Sequence, residues 1–326
     1  MQQANWQAEL RKTKIDPATL LEDIGLAQNA PVLANQAAIS FPLRVTDGFK
    51  NRIISGEVSD PLLRQILPLA DEDLDQPDFS YDPLAEYAKQ PVPGLLHKYY
   101  GRALLVVTGA CAIHCRYCFR RHFPYAESNP ASQQWQTALD YLARDQTISE
   151  IILSGGDPLT ASDERLTGLV KSLAEIPHIK RLRIHTRIPV VLPGRIVDPL
   201  LDWLTGTRLK PVMVVHANHA NELDHSVAVA MEKLKSAHVP LLNQSVLLRG
   251  VNDSVTALAK LSERLFEYGI LPYYLHMLDP VKGAAHFAVD ESQARAIMQG
   301  LSELLPGYLV PKLVREIPGK PGKTLL

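Results

Sequence analysis

Cysteine is scarce in this sequence, which has three among its 326 residues. So few thiols exclude a scaffold held together by several disulfides, and a chain of this length can bury an ample core without them. Long apolar runs are also missing, since no stretch approaches the roughly 18 residues that a membrane-spanning helix needs. The sequence therefore predicts a globular protein that has no membrane partner.

An excess of charge of either sign is missing as well. Lysine and arginine together number 34, against 35 aspartate and glutamate residues, which gives a formal net charge of −1. Without a broad positive field, the chain has no general attraction to nucleic acid or to anionic lipid. The first residues, M-Q-Q-A-N-W, lack the apolar region of a secretory signal. We therefore expect the protein in the cytoplasm, where thiols stay reduced.

The three cysteines lie within eight residues, as Cys111, Cys115 and Cys118, in the spacing C-x3-C-x2-C. Thiolates this close together favour binding of a metal ion or an iron–sulfur cluster. Three of them suit a four-iron cluster that leaves one iron open to a ligand. Two alternatives remain: a zinc site in which His114 or His122 is the fourth ligand, and three unrelated buried thiols.

The distribution of proline, glycine and apolar residues predicts three regions. Residues 1–96 form a helical and loop-rich N-terminal region, in which Asp16 and Asp60 each precede a proline as the N-cap of a helix. Residues 97–304 alternate short apolar strands with amphipathic stretches of helix length, a pattern typical of parallel β/α units. Residues 305–326 form a C-terminal segment.

Six strands are predicted in the middle region, over residues 103–108, 150–154, 181–186, 211–216, 240–245 and 271–277. A closed eight-unit barrel usually takes ~250 residues. Six units therefore favour an α/β fold of the open type, a (β/α)6 partial TIM barrel. Polar residues follow every strand, where such barrels keep their chemistry. These are residues 111–118, 154–157, 185–187, 216–219, 243–245 and Asp279.

The C-terminal segment R-E-I-P-G-K-P-G-K-T-L-L places Lys320 and Lys323 among glycines and prolines. A lysine can form a Schiff base with an aldehyde cofactor, and glycine lets the backbone approach a ligand closely. By itself this pattern is more typical of a disordered tail. Beside a candidate cluster, it predicts a second cofactor site.

The cysteine spacing resembles that of the radical S-adenosylmethionine enzymes, whose open iron binds S-adenosylmethionine. Five further segments resemble the lysine 2,3-aminomutase family: C-R-Y-C-F-R-R-H-F, L-S-G-G-D-P-L, R-I-H-T-R-I-P, N-Q-S-V-L-L-R-G-V-N-D and P-Y-Y-L-H-M-L-D. R-R-H-F-P-Y, P-G-L-L-H-K-Y and G-Y-L-V-P-K-L are similar to the bacterial branch that makes (R)-β-lysine for elongation factor P. The resemblance covers about residues 97–324 and implies an isomerase with the open six-unit barrel.

The resemblance implies three cofactors and assigns residues to each. Cys111, Cys115 and Cys118 would hold a 4Fe-4S cluster, and Lys323 would form the Schiff base with pyridoxal 5′-phosphate. Four further positions match the surroundings of pyridoxal phosphate, namely Lys98, Tyr99, Arg102 and Gln244, with Lys98 and Arg102 facing the phosphate. Five match the surroundings of S-adenosylmethionine, namely Ser154, Gly155, Gly156, Asp157 and His216.

The substrate that the resemblance implies is L-lysine. Arg120 would pair with its carboxylate, whereas Asp279 and Glu316 would receive the distant ε-ammonium. A 5′-deoxyadenosyl radical would remove a hydrogen from C3, so that the amino group can move there from C2. The implied partners are a reductant such as flavodoxin or ferredoxin and, through the product, the ligase that modifies elongation factor P.

The sequence departs from the clostridial branch of this family at several positions. Lys98 replaces an arginine there, and Glu316 replaces an aspartate. Lys320 and Pro321 interrupt the glycine run, so Lys320 competes with Lys323 for the Schiff base. No cysteine-bearing extension follows Lys323, so the zinc ion and the tetramer that it supports in that branch are not expected.

The sequence leaves three alternative functions open. One is an aminomutase for another amino acid such as glutamate, although Asp279 and Glu316 would repel a second carboxylate in the substrate. Another is a radical enzyme without pyridoxal phosphate, and the third is a non-enzymatic zinc-binding module.

Overall fold

The computed structural model describes residues 6–28, 33, 36–128 and 132–326. Within these residues, one sheet contains nine strands in the order of the chain. They are β1 (Leu95–Tyr99), β2 (Arg102–Thr108), β3 (Glu150–Gly155), β4 (Arg181–Thr186), β5 (Lys210–Val215), β6 (Leu241–Val246), β7 (Leu271–His276), β8 (Lys312–Arg315) and β9 (Thr324–Leu325). Strands β2 to β8 run parallel, whereas β1 pairs antiparallel with β2 and β9 pairs antiparallel with β8.

The α-helices form the N-terminal region and connect the parallel strands. They are α1 (Trp6–Arg11), α2 (Pro17–Asp23), α3 (Gln36–Ser40), α4 (Asp47–Lys50), α5 (Pro61–Arg64), α6 (Tyr125–Ser128), α7 (Ser132–Arg144), α8 (Asp163–Ala174), α9 (Ile188–Val191), α10 (Asp198–Thr205), α11 (His225–Ser236), α12 (Val255–Glu267) and α13 (Glu291–Leu304). Helices α7, α8 and α10 to α13 each lie between two successive strands, as parallel pairing requires of a crossover connection.

Strand β3 illustrates why these segments form a parallel sheet. Its sequence, E-I-I-L-S-G, has successive apolar residues instead of an alternating pattern, and all six residues are buried. Strands that are covered on both faces have this composition. Side-chain caps then start the helices: the Ser162 hydroxyl accepts from the Arg165 amide before α8, and Ser254 accepts from Ala257 before α12.

The predicted α/β fold with a mainly parallel sheet is confirmed. All six predicted strands are present as β2 to β7, and each end lies within one residue of the prediction. The prediction missed β1, β8 and β9, of which β8 extends the parallel sheet beyond six strands. These three strands are short or carry lysine and arginine, so no continuous apolar run marks them.

The N-terminal region packs on the sheet. The predicted helix starts at Asp16 and Asp60 are confirmed, because each carboxylate accepts backbone N–H groups at the start of α2 or α5. Leu20 and Leu63 belong to the same hydrophobic cluster as Leu105 of β2. Within the described ranges, no helix is long and apolar enough to cross a membrane.

Candidate active site

The cysteine loop follows β2 and is tied to the segment that follows β3. Gly156 donates its amide to the Thr108 carbonyl at 2.7 Å, and Asp157 donates to Ala110 at 2.8 Å. A Cβ atom on Gly156 would lie 2.5 Å from the Ala110 carbonyl oxygen, so only glycine allows this approach. The predicted motif at 154–157 therefore supports the loop that carries the cysteines.

Asp157 joins the ends of β3 and β4. Its carboxylate accepts from the Thr186 hydroxyl at 2.7 Å and from the Arg187 amide at 2.7 Å, and also from the amides of Leu159 and Ile188. Burial raises the pKa of Asp157 to about 6, and these hydrogen bonds oppose the rise. Because four internal donors occupy the carboxylate, Asp157 positions the loop through its side chain.

Cys111, Cys115 and Cys118 are all free thiols. Burial and then the neighbouring Cys118 raise the pKa of Cys111 well above its usual value, and burial followed by Cys115 raises that of Cys118 to about 11. The three predicted ligands therefore lie near one another. Such thiols ionise when a metal binds, since metal ligation stabilises the thiolate.

Arg187 connects the cysteine loop to a buried polar network. Its Nη1 lies 2.8 Å from Cys115 Sγ, while its Nη2 donates to Glu222 at 2.9 Å and to Gln65 at 2.6 Å. The Glu222 and Gln65 side chains are buried, and the Asn218 amide donates to the same Gln65 oxygen at 3.0 Å. The Arg187 guanidinium thus donates a charged hydrogen bond to Cys115, one of the three candidate ligands.

The two histidines of the zinc alternative make other contacts. His114 stacks on Phe41 with ring centroids 4.3 Å apart, and its Nδ1 lies 2.6 Å from the Pro42 carbonyl oxygen. His122 Nε2 lies 3.2 Å from the Lys282 carbonyl oxygen. Within the described part of the chain, no three His, Cys, Asp or Glu side chains form a site for a single metal ion. A four-iron cluster differs from a single ion because each cysteine binds a different iron.

Lys323 lies inside the site, opposite Glu316. Its Nζ donates to Glu316 Oε2 at 3.0 Å and lies 5.8 Å from the centroid of the Tyr274 ring. The pairing of β9 with β8 holds Lys323 in this position. Thr324 of β9 pairs with Arg315 of β8, and these two residues adjoin Lys323 and Glu316 in the chain. Lys320, by contrast, is exposed. Of the two candidate lysines, only Lys323 faces the acidic group.

Glu316 also binds a second ammonium group, that of Lys98. Lys98 contacts Glu86 as well, at 3.1 Å, so it lies between two carboxylates. Burial would raise the pKa of Glu316, but the Lys323 and Lys98 charges hold it well below its usual value. Glu316 is therefore ionised and already in contact with ammonium groups.

Asp279 follows β7 and faces the same group of charges. Burial, and after it the negative charge of Glu316, raises the pKa of Asp279 to about 7, against the opposing charges of Lys323 and Lys98. In the unfolded chain this pKa is about 4. Binding of a further cation beside Asp279 would therefore lower its pKa and favour the ionised carboxylate.

The raised pKa of Asp279 predicts a pH-dependent stability. The folded protein keeps this proton up to about pH 7 while the unfolded chain loses it near pH 4, so the carboxyl's contribution to the free energy of unfolding falls as pH rises between those values. Asp279→Asn should gain stability relative to the parent at pH 8 and lose that gain at pH 4.5. Urea unfolding of variant and parent at both pH values measures the difference in their free energies of unfolding. A difference that is equal at pH 8 and pH 4.5 would refute the prediction.

Arg120 is buried beside Glu86, a residue of the N-terminal region. Its Nε and Nη2 donate to the two Glu86 oxygens at 2.7 and 2.9 Å, and its Nη1 donates to the Ser154 hydroxyl at 3.3 Å. After the opposing effect of burial, the Glu86 charge raises the pKa of Arg120 above its usual value. A permanently charged guanidinium therefore lies close to the predicted S-adenosylmethionine segment.

Neutral imidazoles line the ends of the central strands. Gln244 Nε2 lies 2.8 Å from His216 Nε2, and burial lowers the pKa of His216 to about 3. Burial also lowers the pKa values of His185 and His276 well below normal. Among the described residues, the buried Nε2 atoms of His185 and His276 have no hydrogen-bond partner, so both can bind a polar group of a ligand.

The remaining predicted residues lie on β1 and β2. The Arg102 guanidinium stacks over the Tyr99 ring at 4.7 Å, and burial followed by the Glu316 charge raises the pKa of Tyr99. Lys98, which is predicted to face the phosphate of pyridoxal phosphate, contacts Glu86 and Glu316. This pairing follows from the acids on both sides of Lys98, of which Glu316 is a predicted site residue and Glu86 is not.

Sequence reasoning missed Glu86, Glu222 and Gln65 as parts of this site. All three are buried polar residues whose partners lie far along the chain: Glu86 contacts Arg120 and Lys98, and Glu222 and Gln65 contact Arg187. Neither a motif nor a strand end marks them. Arg187, by contrast, belongs to the predicted residues 185–187, which follow β4 at the position where the other site residues occur.

Comparison with known proteins agrees with these observations. A family model described as a 4Fe-4S single cluster domain matches residues 100–185, which include the cysteine loop. The L-lysine 2,3-aminomutase of Escherichia coli K12 is 51% identical over 323 residues, covering 99% of this chain and 94% of its own length. That of Haemophilus influenzae is 49% identical, covering 99% and 96%.

More distant relatives bear the same name. The L-lysine 2,3-aminomutase of Clostridium subterminale is 36% identical over 327 residues, covering 98% of this chain and 76% of its own length. Among solved structures, a radical SAM methyltransferase from Sphaerobacter thermophilus aligns over 68% of each chain with a TM-score of 0.49 and 18% identity.

Proposed function

The chain belongs to the L-lysine 2,3-aminomutase family, and we propose that it converts L-lysine to (R)-β-lysine by moving the α-amino group to C3. It is an isomerase of the radical S-adenosylmethionine type, a family that uses a 4Fe-4S cluster, S-adenosylmethionine and pyridoxal phosphate. The observation that carries the assignment of the substrate is the pair of carboxylates beside Lys323. Glu316 already binds two ammonium groups, and Asp279 lies near enough for the two acids to interact.

The residues present fit all three cofactors. Three neighbouring free thiols, with a guanidinium 2.8 Å from one of them, suit an iron–sulfur cluster. The glycines at 155 and 156 let the end of β3 pack against the loop that carries the cysteines, where a Cβ atom would lie 2.6 Å from the Thr108 carbonyl oxygen or 2.5 Å from that of Ala110, and so fix the segment proposed to surround S-adenosylmethionine. Lys323 and the imidazole nitrogens of His185 and His276 that lack a partner in the described part of the chain suit a polar aromatic cofactor.

We propose the following holders for these groups. Cys111, Cys115 and Cys118 hold the cluster; Ser154, Gly155, Gly156, Asp157 and His216 surround S-adenosylmethionine; Lys323, Lys98, Tyr99, Arg102 and Gln244 surround pyridoxal phosphate. Asp157 acts by holding the loop, since its carboxylate is occupied by internal donors. Together the bound groups supply a radical that removes a hydrogen from C3 and an electrophile that carries the amino group.

The residues of the chain bind and orient the substrate. Arg120 pairs with the α-carboxylate, because a guanidinium fork matches two carboxylate oxygens. Asp279 and Glu316 receive the ε-ammonium, and binding of this cation transfers a proton from Asp279 to solvent. Fixing lysine at both ends holds C3 in one place, which supplies the positional part of catalysis.

Charge at the two acids predicts the choice of substrate. Norleucine has the chain of lysine with a methyl group in place of the ammonium, so the parent should prefer lysine strongly. A hydrogen bond to a charged group contributes ~1.5–3 kcal/mol. In the Asp279→Asn, Glu316→Gln double variant, the preference for lysine should therefore shrink at least roughly ten-fold, since about 1.4 kcal/mol is a factor of ten.

Competition between the two amino acids measures this preference as a ratio of kcat/KM values. A ratio is used because any loss of cofactor in the variant affects both substrates equally. Glu303→Gln, on the exposed face of α13, is the matched control and should keep the parental ratio. If the double variant also keeps the parental ratio, Asp279 and Glu316 do not recognise the ε-ammonium.

The wider role is part of the same proposal. The product serves the ligase that modifies elongation factor P, which the similarity of R-R-H-F-P-Y and P-G-L-L-H-K-Y to that bacterial branch supports. Flavodoxin or ferredoxin would supply the electron, in the cytoplasm. We further propose that residues 1–96, 97–304 and 305–326 are the N-terminal region, the open six-unit barrel and the cofactor segment.

A further inference from the structure

Glu86 lies in a loop with a constrained backbone. The Asp82 carboxylate accepts the amides of Glu86 at 2.9 Å and of Tyr87 at 3.0 Å. Ala85, which lies between Asp82 and Glu86 in the chain, has a φ of +50°, a conformation that costs free energy for a residue with a Cβ atom. Glu86 itself is only 2% exposed. The loop therefore presents one carboxylate to the interior in a fixed position.

The Glu86 carboxylate occupies one side of the Arg120 guanidinium. The two hydrogen bonds, at 2.7 and 2.9 Å, use the side formed by Nε and Nη2. A guanidinium has a second side, formed by Nη1 and Nη2, that can bind another carboxylate in the same plane. On that side Nη1 makes a 3.3 Å contact with the Ser154 hydroxyl.

Charge balance at this point matches one anionic group. Arg120, Lys98 and Lys323 are three cations, and the carboxylates of Glu86 and Glu316 pair with them, so the five groups together carry one net positive charge. Burial would raise the pKa of Glu86, but Arg120 and then Lys98 keep it below its usual value. One uncompensated positive charge is what a single α-carboxylate neutralises.

We propose that Glu86 is the positioning residue for Arg120: it fixes the guanidinium by one side so that the other side receives the substrate's α-carboxylate. This inference rests on the proposed function, in which Arg120 pairs with that carboxylate. It goes further by giving the N-terminal region a part in substrate recognition. A carboxylate that merely blocked Arg120 until substrate displaced it would have the opposite effect on binding when removed.

The test compares lysine with lysinamide, which has a neutral carboxamide in place of the carboxylate. Binding of each is followed by the change in visible absorbance of the cofactor-loaded protein, without reductant, so no turnover is needed. The parent should bind lysine more tightly than lysinamide. In Glu86→Gln, which keeps the size of the side chain, this preference should fall by roughly ten-fold, the scale of one charge-assisted hydrogen bond.

Two further variants separate the outcomes. Arg120→Gln should abolish the preference; if it does not, the assignment of Arg120 in the proposed function fails. If Arg120→Gln abolishes it but Glu86→Gln keeps or increases it, only the role of Glu86 is overturned. Should Glu86→Gln fail to fold, Asp82→Asn serves in its place, because it loosens the same loop and keeps the Glu86 carboxylate. It should reduce the preference for lysine over lysinamide about three-fold, on the scale of a lost loop hydrogen bond. An unchanged preference in Asp82→Asn also overturns the inference. Glu303→Gln is the control.

Discussion

Replacement of any one of Cys111, Cys115 and Cys118 by alanine should abolish cleavage of S-adenosylmethionine. The chain has no other cysteine that could take over as a ligand. Anaerobically reconstituted parent should contain about four irons and four sulfides per chain, as expected of such a cluster. Each variant should contain much less iron and form no 5′-deoxyadenosine under dithionite.

His122→Ala is the control for this experiment, because His122 would be a fourth ligand only in a zinc site. It should keep both iron content and cleavage activity. One equivalent of zinc in the parent with no uptake of iron would contradict the cluster, and so would a cysteine variant that still cleaves S-adenosylmethionine.

Lys323→Ala should cause a large loss of turnover and remove the lysine that binds pyridoxal phosphate. Lys323 contacts Glu316 at 3.0 Å within the site, whereas Lys320 is exposed three residues earlier. Borohydride reduction of the parent followed by peptide mapping should therefore place the pyridoxyl label on Lys323. The Lys323→Ala protein should carry no such label and should lose turnover by at least about a hundred-fold, the scale typical of a lost nucleophile or general acid–base group.

Lys320→Ala provides a matched control, since it removes the same side chain from the same segment. It should retain the label and nearly all of the turnover. A label on Lys320 in the parent, or equal losses in the two variants, would show that the register of the C-terminal segment is misassigned.

The strands could be predicted from sequence because their signal is local. β2, β3 and β5 are largely buried apolar runs, the composition of strands covered on both faces, whereas β4 and β6 alternate buried with less buried residues. β9 could not be predicted in this way. It has two residues, and it exists because its backbone pairs with Arg315 and Val314 of β8.

The candidate site shows the same limit. The cysteines are recognisable by spacing alone, and Arg187 follows a predicted strand. Glu86 is not recognisable, because its role depends on contacts with Arg120, 34 residues away, and with Lys98. The ion pairs of Lys98 with Glu86 and Glu316 cannot be predicted from the sequence either. Long-range electrostatics decides such pairings, and a one-dimensional pattern does not encode it.

The central claim is that this chain is a lysine 2,3-aminomutase, and one reaction tests it directly. The reconstituted protein is incubated without oxygen with L-lysine, S-adenosylmethionine and dithionite, and the amino acids are separated on a chiral column. A parallel reaction contains L-glutamate in place of lysine. We expect (R)-β-lysine in the first reaction and no β-amino acid in the second. Formation of 5′-deoxyadenosine without β-lysine, or conversion of glutamate in place of lysine, would contradict the account.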